Sequence, residues 1–201
     1  MRLILVRHGE TPWNEARRIQ GGKSDIELGE KGLAQAEKLA QTLQKEDIRA
    51  VYASPMRRAQ ATAQAIARPH SLAVITLPAL REIDAGQADG LPIDRLKEDF
   101  PSFWKEWREG RGSLAWPGGE SVTQVARRAW GAVLKVQRQH PHDTVVVVGH
   151  AFVLTSILVR ALGLGLGNFR RLRVDAGSIS ILEMGASACL LRLNDTCAWK
   201  K

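Results

Sequence analysis

The sequence predicts an α/β protein, a three-layer sandwich in which a mostly parallel central sheet has helices on both faces and a small inserted cap segment. Short runs of branched apolar residues recur along the chain, most clearly at residues 2–6 and 144–148. Such runs are typical of parallel strands that are buried on both faces. Segments of helical length separate the runs, and an alternation of strands and helices is typical of βαβ units.

The elements follow one another in a regular order. Predicted strands lie at residues 2–6, 50–53, 72–77, 144–148, 178–183 and 188–194, and predicted helices at 30–44, 54–67, 121–140 and 152–162. The first predicted helix has an apolar stripe at helical spacing, formed by Leu33, Ala36, Leu39, Ala40 and Leu43. Pro55 suits the first turn of the second helix, and Ser121 with Gln124 forms a capping box at the start of the third.

Two segments are predicted to be irregular. Residues 12–29 have mixed charges and a Gly21-Gly22 pair, which is typical of a loop. Residues 86–119 combine prolines, glycines and charges with large aromatic residues and are predicted to form a cap over one end of the sheet. Its aromatic residues include Phe100, Phe103, Trp104, Trp107 and Trp116. A functional lid and a simply packed subdomain both fit this composition.

Length and composition favour one domain. A chain of 201 residues with 44% hydrophobic content can bury one sizeable core, so residues 1–201 are predicted to form a single domain. No apolar stretch is as long as a membrane span, which predicts no membrane association. Cys189 and Cys197 are the only cysteines. They are too few for a disulfide scaffold, and we therefore expect a cytoplasmic protein.

The formal charge of +8 raises the alternative of a nucleic-acid-binding protein. The basic pairs lie on separate predicted elements, however, and no aromatic residues alternate with them. These pairs are Arg57-Arg58, Arg127-Arg128, Arg170-Arg171 and Lys200-Lys201. We therefore expect no nucleic-acid partner, and a positive field that increases the association rate of small anions.

Basic residues follow three predicted strands. Two strands end in histidine, at Arg7-His8 and Gly149-His150, and Arg58 follows another strand. Because parallel strands present their carboxyl ends at one edge of a sheet, these side chains are expected to converge. Glu82 and Asp84 supply carboxylates nearby. The pattern predicts a phosphate pocket with an acid beside it.

A metal site is the other interpretation of these histidines. The guanidinium of Arg7 beside His8 would repel a divalent ion, and no His or Cys cluster has the spacing of metal ligands. We therefore predict a site with no metal and no cofactor.

The run Leu5-Val6-Arg7-His8-Gly9-Glu10-Thr11 resembles the signature of the histidine phosphatase superfamily, the phosphoglycerate mutase-like enzymes, and the chain is similar to their phosphatase branch. Further matches follow in the family's order along almost the whole chain. They are Trp13-Asn14, Gln20-Gly21, Asp25, Leu28, Gly32, Gln35, Ala36, the Ser54 to Ala63 block, Arg81-Glu82 with Gly86, Gly118-Gly119-Glu120-Ser121, Val148-Gly149-His150-Ala151 and Asn194-Asp195.

The resemblance implies a role for each matching residue. His8 would be the nucleophile that becomes phosphorylated, and Glu82 the proton donor to the leaving oxygen. The phosphoryl oxygens would be held by Arg7, Asn14, Arg58, His150 and the backbone N–H of Ala151. The substrate pocket would include Gln20, Gly21 and Phe152. The implied activity is that of a metal-independent phosphomonoesterase that hydrolyses a small phosphorylated metabolite through a phosphohistidine.

Several alternatives stay open. The implied phosphatase could act on phosphoserine, on α-ribazole phosphate or on a broad range of esters. A phosphoglycerate mutase of the same fold would have an extra segment after the catalytic glutamate, whereas residues 83–91 resemble the phosphatase version. A non-catalytic phospho-ligand-binding module would be expected to lack His8 or Glu82, and both are present. An exposed edge strand near residues 190–193 would permit a homodimer.

The chain also departs from the family pattern. Gly29 replaces the usual N-cap hydroxyl, which affects the following helix more than the chemistry. Phe152 replaces a small residue just after His150 and would add bulk at the mouth of the pocket. Cys197-Ala198 replaces a Ser-His pair, which puts a contribution from that end of the chain in doubt.

Overall fold

The computed structural model describes residues 1–109 and 114–196. Six strands form one sheet in the order β3-β2-β4-β1-β5-β6. They are β1 (Arg2–Arg7), β2 (Ile48–Ala53), β3 (Val74–Thr76), β4 (Thr144–Gly149), β5 (Ile179–Met184) and β6 (Ala188–Asp195). The pairs β3–β2, β2–β4 and β4–β1 are parallel, whereas β5 is antiparallel to β1 and β6 to β5. The prediction of a mostly parallel sheet is confirmed.

Helices cover both faces of the sheet. The α-helices are α1 (Pro12–Glu15), α2 (Glu30–Leu43), α3 (Arg57–Ala67), α4 (Leu96–Asp99), α5 (Pro101–Glu109), α6 (Val122–Gln139) and α7 (Ala151–Ala161). Short 3-10 helices lie at Arg68–His70, Pro78–Leu80, Gly86–Ala88, Ile93–Arg95 and Leu166–Arg171. Helices α2 and α3 pack together, as do α6 and α7.

The alternation of side chains along β1 explains the three layers. Successive side chains of a strand point to opposite faces. Leu3 and Leu5 therefore join the apolar cluster that contains the buried side of α6 and α7. Ile4 and Val6 join a second cluster, which contains the buried residues of α2 and α3. The apolar run at the start of the chain is thus buried on both faces.

The segment at 12–29, predicted as a loop, contains the one-turn helix α1. The side chain of Thr11 accepts a hydrogen bond from Asn14 N, and Asn14 Oδ1 accepts one from Thr11 N at 3.0 Å. Pro12 occupies the first turn, where its missing N–H is not needed. Asn14 takes the third position of this capping box, where Glu or Gln is usual, so the sequence did not indicate a helix here.

The prediction that Leu33 belongs to the buried stripe of α2 is wrong. Leu33 is 52% exposed, whereas Gln35 is buried and accepts a hydrogen bond from Glu10 N at 2.8 Å. The cause is the close approach of Gly32 to the strand end, where a Cβ would lie 2.0 Å from Glu10 O. The buried face of α2 therefore begins with Gly32 and excludes Leu33.

The cap at 86–119 is more regular than predicted. It contains two 3-10 helices, Gly86–Ala88 and Ile93–Arg95, and the two α-helices α4 and α5. Residues 110–113 lie outside the described part. Pro101 starts α5 rather than interrupting a helix.

Across the two described segments, no helix has both the length and the apolar character needed to span a membrane.

Candidate active site

The register of two neighbouring strands brings two histidines together. Arg7 of β1 pairs with Gly149 of β4, and His8 N donates a hydrogen bond to Gly149 O at 3.1 Å. His8 and His150 both follow directly after this pair. Their ring centroids lie 5.0 Å apart, and the side chains are 3% and 0% exposed. The expected convergence at this edge of the sheet is what the structure shows.

The hydrogen bonding of His8 defines its tautomer. Nδ1 lies 2.7 Å from Gly9 O, and a carbonyl oxygen can only accept, so Nδ1 carries the proton. The lone pair is therefore on Nε2. Burial, followed by the nearby charges of Arg58 and Arg7, holds the pKa of His8 well below its ordinary value. His8 is a neutral imidazole with one nitrogen free to attack.

Gly9 is fixed by contacts with two helices. Its N–H donates to Thr62 Oγ1 of α3 at 3.1 Å. A Cβ at Gly9 would lie 2.4 Å from Gly32 O of α2, so no other residue fits at this approach. The carbonyl that sets the His8 tautomer is thereby held in place.

His150 depends on a residue that the sequence analysis did not assign to the site. Its Nε2 lies 2.7 Å from Ser54 Oγ, which also accepts a hydrogen bond from Met56 N at 3.3 Å. A serine hydroxyl can donate to Nε2 while it accepts from Met56 N, and in that arrangement the proton of His150 is on Nδ1. Within the described residues, the buried Nδ1 has no partner. Ser54 and Pro55, which the sequence places in the first turn of a helix, instead precede α3, which begins at Arg57.

Two cations lie beside His8, the half-buried Arg7 and the buried Arg58. Arg58 is fully buried and donates to Ser24 O at 2.9 Å and to Gly21 O at 3.3 Å. Burial lowers its pKa to about 10, so it stays charged at neutral pH. Arg7 donates to Val174 O at 2.8 Å. In the portion of the chain that is described, the Nε of each arginine has no partner, which leaves donors for an anion.

Glu82 and Asp84 have different surroundings, although residues two apart in a fully extended stretch would share a face. Glu82 is buried, and its two oxygens accept hydrogen bonds from Ile83 N at 2.9 Å and Phe152 N at 3.2 Å. Burial raises its pKa, although these N–H groups and the two arginines act in the opposite direction. Asp84 instead pairs with Lys23 at 3.0 Å. Glu82 is thus the carboxyl with the raised pKa.

Most of the predicted site residues line one cavity of about 390 Å³. It is bordered by Arg7, His8, Asn14, Gln20, Gly21, Glu82, Ala151 and Phe152. Arg58 and His150 are not among its lining residues and lie next to His8 instead. Gln20 accepts a hydrogen bond from Thr11 Oγ1 at 3.2 Å. The structure therefore brings the predicted site residues together, although Arg58 and His150 do not line the cavity.

Aromatic residues from the cap form one wall of this cavity. Trp104, Trp107 and Trp116 line it together with Phe152. The ring of Phe152 lies 5.5 Å from Trp107 and 5.9 Å from Trp116, measured between centroids. The cap is therefore packed on the site itself and not only on the sheet.

Two further arginines line the cavity and were not assigned to the site from the sequence. The guanidinium carbon of Arg170 lies 5.1 Å from the ring centroid of Trp107, and Arg170 also donates to Trp107 O. Arg18 donates to Gly90 O at 2.9 Å. Arg170 belongs to a basic pair noted in the sequence, but no local pattern connected it with His8. Together they add two positive charges to the lining of the cavity.

The other sequence predictions at the site concern metals and the chain end. Over the stretches that the structure describes, no three His, Cys, Asp or Glu side chains form a group that could hold a metal ion. Cys197-Ala198 lies outside the described residues.

Comparisons with known proteins show which family this chain resembles along its length. The sequence profile of the histidine phosphatase superfamily (branch 1) matches residues 3–196. Phosphoserine phosphatase 1 of Hydrogenobacter thermophilus is 36% identical over 198 residues, which cover 98% of this chain and 93% of that protein. A Yersinia pestis protein named "probable phosphoglycerate mutase" is 36% identical over 190 residues, covering 94% of this chain and 88% of that protein.

A solved structure is similar over the same extent. Mycobacterial glucosyl-3-phosphoglycerate phosphatase, solved as a complex with VO3, superimposes with a TM-score of 0.90 at 30% identity. The match covers 97% of this chain and 99% of that chain. The α/β fold and the order of its elements are thus shared with this phosphatase.

Proposed function

Because the chain belongs to the histidine phosphatase superfamily and is a phosphatase of small phosphorylated metabolites, we propose that it works through a phosphohistidine on His8, with Glu82 as the general acid. One observation carries this proposal. A neutral, buried His8 with a free Nε2 shares a cavity with a buried carboxyl whose pKa is raised. These are the nucleophile and the proton donor that ester cleavage requires.

In the first step, His8 Nε2 attacks phosphorus and the bond from phosphorus to the ester oxygen breaks. The Glu82 carboxyl gives its proton to that oxygen, and the alcohol leaves. In the second step, water attacks the phosphohistidine and gives a proton to the Glu82 carboxylate. The N–P bond breaks, inorganic phosphate leaves, and His8 and Glu82 return to their starting states.

The remaining donors stabilise the transferred group. Arg7 and Arg58 can each donate to phosphoryl oxygens, and His150 Nδ1–H adds a neutral donor. Asn14 and the backbone of Ala151, the first residue of α7, lie on the same cavity. These groups place positive charge around the equatorial oxygens, where a phosphoryl-transfer transition state needs it.

We further propose a substrate whose leaving group carries a carboxylate. The names of the similar proteins refer to phosphoserine and to phosphoglycerate derivatives. Arg18 and Arg170 at the cavity give a physical reason, because they attract a second anionic group beyond the phosphate. A mutase is the second candidate, since one relative has that name; release of inorganic phosphate without isomerised ester distinguishes the two activities.

The test of the general acid compares two kinds of substrate. We expect Glu82→Gln to reduce kcat for an alkyl phosphate far more than for an activated aryl phosphate, because the aryl oxide leaves without a proton. The loss with the alkyl ester should be about 100-fold or more. Asp84→Asn is the matched control and should change neither value selectively. Equal losses on both substrates with Glu82→Gln would refute the assignment.

A further inference from the structure

We propose that Arg128 and Glu120 are positioning residues that hold Glu82 at the distance from His8 that proton transfer requires. The proposal rests on the role of Glu82 as the general acid. Neither residue lines the cavity that holds His8, so they would not touch the substrate and would act on Glu82 through the segment that carries it. The family pattern noted in the sequence includes Glu120 but assigns it no task.

Arg128 uses every N–H donor of its guanidinium on this segment or on Glu120. Its Nε donates to Glu120 Oε1 at 3.0 Å, and its NH2 group donates to Glu120 Oε2 at 2.8 Å and Glu82 O at 3.2 Å. Its NH1 group donates to the carbonyls of Ala79, at 2.7 Å, and Arg81. A guanidinium has five N–H donors, so none is left over. Arg128 thus binds three carbonyls within four residues of chain.

Glu120 binds the same segment on the other side of Glu82. Its Oε2 accepts a hydrogen bond from Asp84 N at 3.0 Å, and its own N–H donates to Asp84 O at 2.9 Å. The ion pair with Arg128 therefore fixes the backbone both before and after Glu82. The two side chains are only 23% and 27% exposed, so water screens the pair less than it would on an open surface.

Helix α6 supplies a rigid base for this pair. Glu120 directly precedes Ser121, whose side chain caps α6, and Arg128 lies within the helix. The buried side of α6 packs into the main core, which includes Val122 and Val125. Glu82 is thus held in place by a helix on one face of the sheet, whereas His8 is held in place by β1.

Gly22 contacts the Glu82 segment on the side opposite to Arg128. Gly22 N donates to Ile83 O at 2.8 Å, and a Cβ at Gly22 would lie 2.5 Å from Glu82 O. Glu82 O is therefore held between the Gly22 backbone and the Arg128 guanidinium. A shift of the segment by even a fraction of an ångström would move the carboxyl, and a misplacement of about 1 Å in a catalytic group costs about 100-fold in rate.

The test uses the leaving-group dependence, which a merely structural ion pair would not change. We expect Arg128→Gln to lower kcat for an alkyl phosphate at least about tenfold more than for an activated aryl phosphate. Arg127→Gln, a change at the exposed neighbouring arginine, should leave both values unchanged. If Arg128→Gln does not fold, Glu120→Gln removes the ion pair more gently and should show the same selective loss.

A double variant separates this proposal from the assignment of Glu82. In a Glu82→Gln background, Arg128→Gln should add no further discrimination between the two esters, because no acid is left to position. Should Glu82→Gln itself show no leaving-group dependence, the general acid is wrong. A selective loss in Glu82→Gln together with equal losses on both esters in Arg128→Gln and Glu120→Gln would leave Glu82 in its role and overturn the positioning role.

Discussion

A single backbone carbonyl decides which nitrogen of His8 can attack. Gly9 O binds Nδ1, and Nε2 is left with the lone pair. We therefore expect a covalent intermediate with phosphorus on nitrogen. Quenching the wild-type enzyme and labelled substrate with denaturant at alkaline pH should trap label that is base-stable and is lost on later exposure to acid. His8→Asn should trap none. Brisk turnover with no nitrogen-linked label at any time would point to direct attack by water.

The shifted pKa values of His8 and Glu82 define the pH range of activity. The pKa of His8 is well below its ordinary value, so the nucleophile is neutral even in mild acid. The pKa of Glu82 is raised, so its acid form persists to higher pH than in an ordinary glutamate. Because the free enzyme must hold Glu82 protonated, kcat/KM for an alkyl phosphate should fall as pH rises through that raised pKa.

The pH profile of Glu82→Gln supplies the contrast. The alkaline decline should disappear in this variant, while the decline at acid pH, which follows protonation of His8, should remain. An unchanged alkaline decline in Glu82→Gln would assign it to another group.

The sequence allowed the identity of the site residues to be predicted, but not all of their partners. His8 and His150 could be predicted to converge because each directly follows a strand, and parallel strands share an edge. The hydrogen bond from Ser54 to His150 could not be predicted, since it depends on the side-by-side position of β2 and β4. Arg170 could not be predicted either, because it lies in the 3-10 helix Leu166–Arg171 and does not directly follow a strand.

Phe152, in the first turn of α7, connects the cap to the active site. Its ring contacts Trp107 and Trp116 and lines the cavity, so it should limit the size of the leaving group. We expect Phe152→Gly to extend activity to bulkier esters, measured as the ratio of kcat/KM for large and small substrates. Phe100→Ala is a control, because Phe100 packs on the core without lining the cavity.

The melting temperature of Phe152→Gly shows whether Phe152 limits the size of the substrate or only packs the cap onto the core. A wider substrate range with a small change in melting temperature is the expected result. If the melting temperature falls strongly while the substrate ratio stays the same, Phe152 serves only to pack the cap.

The elements that could be predicted are those with a strong repeat. Strands β1 and β4 are continuous apolar runs, and α6 combines a capping box with a long apolar stripe. The short helices α1 and α4 have too few turns for a repeat to be visible. In α5 the large aromatic residues suggested an irregular cap, although their spacing also fits a nine-residue helix.

The whole molecule should need no divalent metal. Arg7, Arg58 and a neutral histidine donor already surround the site of phosphoryl transfer. Activity should therefore persist after exhaustive treatment with chelator, measured on an alkyl phosphate. The control adds Mg²⁺, Mn²⁺ or Zn²⁺ back to the treated enzyme and should give no increase. A loss of activity restored by one specific ion would contradict the prediction.

Two predictions about the whole molecule stay predictions. The edge strand β6 exposes Leu191 and Leu193, which would permit a homodimer, and the molecular mass in solution is the measurement. The cytoplasmic location rests on the small number of cysteines, of which Cys189 is free and exposed.

The position of β1 in the sheet has a consequence for refolding. β1 is an inner strand between β4 and β5, and both partners come from the far end of the chain. His8 therefore meets His150 only after most of the polypeptide has been brought together, and such distant pairings form slowly. Refolding intermediates should contain helices yet be inactive, with strand edges open to aggregation. The return of phosphatase activity should coincide with the slowest refolding phase, so that catalysis reports the end of folding.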